Sequence, residues 1–176
     1  MENRYCFLLI ALLSASCQAV RVQTDYEKGT DFSNYTTYDY YDGLDTGLGG
    51  LEEKRLIRIF DVAMQGKGLL LSEEPDFFVN IQSEVYQARN NNTVGLGIGG
   101  VGGNIGGGVS VGVPVGQAKV QREIIFDFVD SQNGQLFWQA KTSSGFNEKT
   151  TPMERELELQ EIVGKMLSKY PPKPKK

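Results

Sequence analysis

The sequence predicts an α+β fold, a two-layer sandwich of mainly antiparallel sheet with two helices on one face and a projecting Gly-rich hairpin or loop. Three observations lead there. The hydrophobic period switches along the chain in the order strand, strand, helix, three strands, helix. Each helical segment carries a single apolar stripe, and two such stripes are buried most simply on one face of a sheet. A run of glycines alternating with aliphatic residues interrupts the strands between Gly95 and Gly116.

The first element is not part of that fold. Met1-Glu2-Asn3-Arg4 is a short polar start, and Tyr5 to Leu13 is an almost unbroken apolar run followed by the small residues Ser14, Ala15 and Ser16. This is the layout of a secretory signal peptide, too short to span a bilayer permanently. Leu13-Ser14-Ala15-Ser16-Cys17 resembles the lipobox of bacterial lipoproteins, with Ser14 in the place usually held by Leu. Ordinary cleavage after Ala19 is the alternative. The two cysteines, Cys6 and Cys17, both lie here. Cleavage before Cys17 removes Cys6 and leaves one thiol at the new N-terminus, where acylation turns a liability into an anchor. Each buried acyl CH₂ contributes ~0.8 kcal/mol, so several chains hold a protein almost irreversibly.

After the anchor, Val20, Val22, Thr24 and Tyr26 alternate with polar residues and predict a half-buried strand. Tyr35 to Tyr41 predicts a second, and Asp42 to Gly50 a glycine-containing loop. Leu51 to Gln65 predicts a helix, with Leu56, Ile59, Phe60 and Ala63 on one face, Glu52 and Glu53 in the first turn, and Gly66 and Gly68 as the stop. Phe77, Val79, Ile81 and Val85 alternate as a long strand. So do Val120, Ile124, Phe126 and Phe128 within Ala118 to Asp130. Asn133-Gly134 predicts a type I′ hairpin turn, followed by Leu136, Trp138 and Ala140 on one face of the return strand. Thr151-Pro152-Met153-Glu154 combines a capping box with a helix-starting proline. Leu159, Ile162, Val163, Met166, Leu167 and Tyr170 form the last apolar stripe, which Pro171-Pro172 ends.

The domain reading is therefore a lipoprotein-type signal peptide over 1–16, a single α+β domain over 17–172 with a Gly-rich insertion at 93–117, and a basic tail over 173–176. The insertion holds about half of the chain's 21 glycines. Val94, Leu96 and Ile98 alternate with glycines on one arm, and Val109, Val111 and Val113 alternate with small residues or proline on the other, around Gly102-Gly103-Asn104 as a turn. One reading is an interaction arm that adds to a partner's sheet edge or dips into lipid. The other is a loop, since glycine loses the most entropy on ordering. The run opens no helix, so it is not a phosphate cradle.

Composition narrows function. The formal charge is −4, from 18 Lys+Arg and 22 Asp+Glu, with no basic stripe, so no nucleic-acid partner is expected. Histidine is absent, which removes the commonest general base and zinc ligand. Asp127 and Asp130 could pair as carboxylates but stand three apart on a strand, facing opposite ways. Asp39, Asp42 and Asp45 lack the spacing of a calcium loop. Tyr35, Tyr38, Tyr40 and Tyr41 could stack on a ligand, although strand aromatics usually pack within the fold. No catalytic residue, metal or cofactor is expected.

Several stretches together resemble the bacterial envelope lipoproteins of domain-of-unknown-function family 4136. They are Asp25-Tyr26, Asp31-Phe32-Ser33-Asn34-Tyr35-Thr36-Thr37-Tyr38, Gly66-Lys67-Gly68 and Pro75-Asp76-Phe77-Phe78-Val79. Phe126-Asp127-Phe128-Val129-Asp130, Gly134-Gln135-Leu136-Phe137-Trp138 and Lys169-Tyr170-Pro171-Pro172 complete the set. The resemblance implies a membrane-anchored lipoprotein, at the outer membrane or facing the periplasm, without established activity or catalytic residues to transfer. Gln18 after the cysteine, by likeness to sorted lipoproteins, points to the outer membrane. The leading expectation is a non-enzymatic envelope lipoprotein that binds an envelope protein or maintains the envelope. The alternatives are a soluble periplasmic or secreted binding domain for a small ligand or glycan, and an envelope hydrolase.

Overall fold

The computed structural model describes residues 20–88, 93–95, 112–114 and 120–173. Strand β1 (Arg21–Tyr26) is followed by a 3₁₀ turn at Phe32–Asn34, which the Asp31 side chain caps by accepting the Ser33 N–H. Then come β2 (Thr37–Tyr40), helix α1 (Gly50–Gln65), a two-residue β3 (Leu70–Leu71) and the long β4 (Phe77–Gln87). Short β5 (Thr93–Gly95) and β6 (Gly112–Pro114) pair antiparallel with each other. Strands β7 (Val120–Asp130) and β8 (Leu136–Gly145) and helix α2 (Pro152–Leu167) complete the chain.

Six strands form one mixed sheet in the order β1-β8-β7-β4-β2-β3, which with the two helices makes an α+β fold. The β1–β8, β8–β7 and β7–β4 pairs are antiparallel, as expected. Strand β2, however, runs parallel to both β3 and β4. The reason lies in the connection: the chain leaves β2, passes through α1 and returns, and such a crossover brings a strand back in the same direction.

Each helix end has a local cause. Gly68 takes φ +82°, which places its N–H 2.9 Å from the Gln65 carbonyl oxygen and the Leu69 N–H 3.1 Å from that of Met64. This pair of bonds closes α1 and favours glycine, since a Cβ disfavours that conformation. Gly66, expected to share the stop, remains right-handed. At the start of α2, Thr151 and Glu154 form the expected capping box, with Pro152 in the first turn.

The buried residues of both helices and the alternate buried residues of the sheet belong to one core. Leu56, Ile59, Phe60 and Met64 come from α1. Leu159, Ile162, Val163, Met166 and Leu167 come from α2, and Tyr170 follows it. Val79, Ile81, Ile124, Phe126, Phe128, Trp138 and Ala140 come from the strands. The return strand departs from simple alternation. Trp138 lies opposite Phe128 and Leu136 opposite Val129, so Phe137 is an extra residue in a β-bulge. The expectation that Leu136 shares the inward face of Trp138 is thereby corrected: Leu136 is exposed and Phe137 buried.

The hairpin turn is also longer than a two-residue type I′ turn. The Asp130 carboxylate accepts the N–H groups of Gln132 and Asn133, each at 2.9 Å, and Gly134 (φ +69°) donates to the Asp130 carbonyl oxygen. Residues 131–135 thus wrap around one aspartate.

Candidate functional site

Cys17 lies outside the described residues, as do Leu96, Ile98, Val109 and Val111. Val94 and Val113 lie in β5 and β6 and are direct partners. Five residues (88–92) separate β4 from β5, and five (115–119) separate β6 from β7. The short ladder therefore keeps the register of the long one, whose last pair is Gln87 with Val120. At the same end of the sheet Gln121 pairs with Gly145, and Arg21, the first residue of β1, pairs with Ser143. The chain that follows Cys17 and the Gly-rich segment thus meet the sheet at one end.

A buried ionic cluster lies near that end. Arg122 occupies an inward position of β7, in line with Ile124 and Phe126, and both its terminal nitrogens donate to the Glu52 carboxylate of α1. Arg155 of α2 reaches the same Glu52 oxygen at 3.3 Å, bonds Glu158 at 2.6 Å, and donates to the Asn147 carbonyl oxygen at 2.6 Å. Both guanidinium groups also lie over the Phe146 ring, 4.0 and 4.6 Å from its centroid, where the ring quadrupole attracts cations. Two positive and two negative groups thus join β7, both helices and the segment after β8. With its oxygens committed to arginines, Glu52 is a structural counter-ion. The sequence analysis missed this cluster. Its signal was a charged residue at an inward place in each of two apolar patterns: Arg122 in the alternation of β7, and Arg155 four residues before Leu159.

Of the four tyrosines expected either to stack on a ligand or to pack within the fold, Tyr35, Tyr38 and Tyr40 pack within it. Tyr38 and Tyr40 both donate to one Asp61 oxygen, at 2.7 and 2.6 Å. Burial, and then the Asp61 carboxylate, push both phenols far above their usual range. Tyr35 stacks on Phe137 at 3.9 Å and donates to Asp130; burial and that carboxylate push it up to about 12. Tyr41 is exposed and stacks on Phe78.

The carboxylates considered for chemistry are held apart by local tasks. Asp127 accepts from Gln139 across the strands, while Asp130 caps its turn and is held below its ordinary range, chiefly by the Asn133 N–H. Asp39 and Asp45 accept the N–H groups of Tyr40 and Gly47. Among the described residues, no three acidic or cysteine side chains gather as a metal site.

Two open clefts flank β1. One, of about 370 Å³, is lined by Val20, Asn147, Lys149, Glu154, Leu157 and Glu158 among others. The other, of about 200 Å³, is lined by Asp25, Tyr26, Glu27 and Leu136 to Gln139. The indole N–H of Trp138 and the hydroxyl of Tyr170 are buried without a protein partner, with their rings 5.1 Å apart.

Residues 22–172 match the family described as Domain of unknown function (DUF4136). The chain belongs to that family. The match covers β1 through the end of α2, and so takes in the ionic cluster and the Gly-rich segment of this DUF4136 chain. No curated protein matches it. Among solved structures, it is similar to a PDZ domain protein from Parabacteroides distasonis, at 15% identity and a TM-score of 0.58 over 95% of this chain. The chain spans 40% of the length of that protein. The PelC dodecamer from Paraburkholderia phytofirmans also matches, at 10% identity and a TM-score of 0.45, over 85% of this chain and 96% of that one. At these identities the first likeness concerns the fold alone, and the fold it concerns is the mixed sheet with two helices described above.

Proposed function

We propose that this DUF4136 protein is a non-enzymatic lipoprotein of the cell envelope, held through an acylated Cys17 at the outer membrane and facing the periplasm. Its task is to engage another envelope protein or maintain the envelope, with the Gly-rich segment that carries Val94, Leu96, Ile98, Val109, Val111 and Val113 as the interaction arm. The helices form the second layer of a two-layer sandwich, leaving the opposite sheet face for contact.

The observation that carries this reading is the position of Cys17. It follows an apolar run and small residues, and it lies only four residues before Arg21, where β1 begins. A tether that short suits a domain seated directly on its anchor. The non-enzymatic part is supported by the absence of histidine and by the structural hydrogen bonds that engage Glu52, Asp76, Asp127 and Asp130.

The test is cell fractionation of the full chain beside Cys17→Ser. The expected outcome is native protein in the outer-membrane fraction and the serine variant released from it. A serine variant that remains in the membrane fraction would overturn the anchoring, and turnover of an envelope substrate by the native protein would overturn the non-enzymatic assignment.

A further inference from the structure

The geometry points to a membrane-seating face: we propose that the end of the sheet from which β1 departs rests on the lipid bilayer, with exposed apolar residues of β4, β7 and the helix starts in contact with it. This rests on the anchoring of Cys17 proposed above and specifies which way the domain stands on its tether.

Two independent features meet at this end. The first is the reach of the chain. Three residues separate Cys17 from Arg21, and the four Cα-to-Cα steps between them span ~14 Å when fully extended. Arg21 pairs with Ser143, and Ser143 in turn with Glu123, so the tether holds the terminal rungs of the sheet close to the lipid surface. The second is apolar exposure. Val85, Tyr86 and Val120, near the ends of the β4–β7 ladder, are exposed. Val85 lies opposite Arg122, whose partner Glu52 follows the exposed Leu51 at the start of α1. Phe146, beneath the Arg122 and Arg155 guanidiniums, donates its N–H to the Val120 carbonyl oxygen, which ties the start of α2 to the same end. The exposed Leu157 of that helix lines one cleft with Val20, the first described residue of the tether.

A surface of this kind favours the interface between headgroups and acyl chains, where aliphatic residues gain burial and tyrosine keeps its hydroxyl wet. The ionic cluster adds rigidity: through Glu52, Arg122 and Arg155 it locks both helix starts to β7, so the apolar residues of the strands and helices hold fixed places at one end of the sheet. The opposite end of the sheet, marked by Leu71 of β3 beside Tyr38, is then held away from lipid by the ten steps of β4, ~33 Å.

The experiment places single thiols on the acylated full-length protein, in which Cys17 is blocked and Cys6 removed with the signal peptide. Val85→Cys, Tyr86→Cys, Val120→Cys and Leu71→Cys are each labelled with a small fluorophore. Each is reconstituted in phosphatidylethanolamine–phosphatidylglycerol vesicles containing a headgroup nitroxide lipid. The expected result is roughly threefold stronger quenching at the first three positions than at Leu71→Cys, given their ~30 Å separation along the sheet. Circular dichroism checks the fold of each variant, and three probes at one end of the sheet keep the measurement decisive if one fails to fold. Equal, weak quenching at all four positions in acylated, vesicle-bound protein would overturn the seating and leave the anchor intact. Probes shielded from an aqueous quencher but not quenched by the nitroxide lipid would indicate a protein on that face, a second copy included, and would also overturn it. A chain without an acyl group would remove the anchoring and, with it, the seating.

Discussion

Glu52 stands between two guanidinium groups, and those groups depend on it. Arg122 and Arg155 keep only 6% and 9% of their side chains exposed, and the Arg122 Nε has no partner even with Glu52 in place. Removing one member of a buried ionic group costs about 3–5 kcal/mol, because the charge left behind stays desolvated. Glu52→Ala is therefore expected to lower the stability of the domain by about that amount in urea unfolding. A change below ~1 kcal/mol, the range of exposed pairs, would mean that water solvates the arginines. In the sequence, Glu52 was visible only as a helix-start carboxylate. Its role as counter-ion depends on Arg122 and Arg155, 70 and 103 residues away, and chain spacing does not encode such a meeting. Arg122 and Arg155 themselves stood in apolar patterns, which was the available sign.

The elements were largely readable from periodicity. The two amphipathic stripes and the alternation of β4 and β7 are strong signals because one face is buried over most of each element, from Phe77 to Ile81 in β4 and from Arg122 to Phe128 in β7, and the Thr151–Glu154 capping box is a local motif needing no tertiary information. The departures arise where local geometry breaks the period or depends on distant contacts. The β8 bulge inserts one residue, so counting by two from Trp138 puts Leu136 inside and Phe137 outside, the reverse of the structure. Phe137 instead packs among Phe32, Tyr35, Phe77 and Phe128. Phe137→Ala is thus expected to cost about 3–5 kcal/mol, the range for a buried aromatic. Leu136→Ser should stay within ~0.5 kcal/mol, as surface changes do. Thermal or urea unfolding of the two variants checks this, and equal costs would contradict the bulge. The parallel placement of β2 was hidden for a different reason: strand direction follows from the path of the crossover, not from the residues within the strand.

At the scale of the whole molecule, one core joins a mixed sheet to two helices, and its long central ladder points toward the Gly-rich segment at the end where β1 begins. For the anchor proposed at Cys17, a domain so arranged needs no long linker, and only three residues lie between Cys17 and Arg21. The family and the fold class could be read from ordered motifs and periodicity, while the proposed seating face depends on which elements share an end of the sheet, a property of topology. The central claim, a domain acylated at Cys17, is most directly tested by intact and N-terminal peptide mass spectrometry of the mature protein extracted from membranes. The account predicts a chain that begins at Cys17 and carries the added mass of a lipid, with Gln18 as its second residue. A mature chain that begins after Ala19, or one with an unmodified thiol at Cys17, would contradict it.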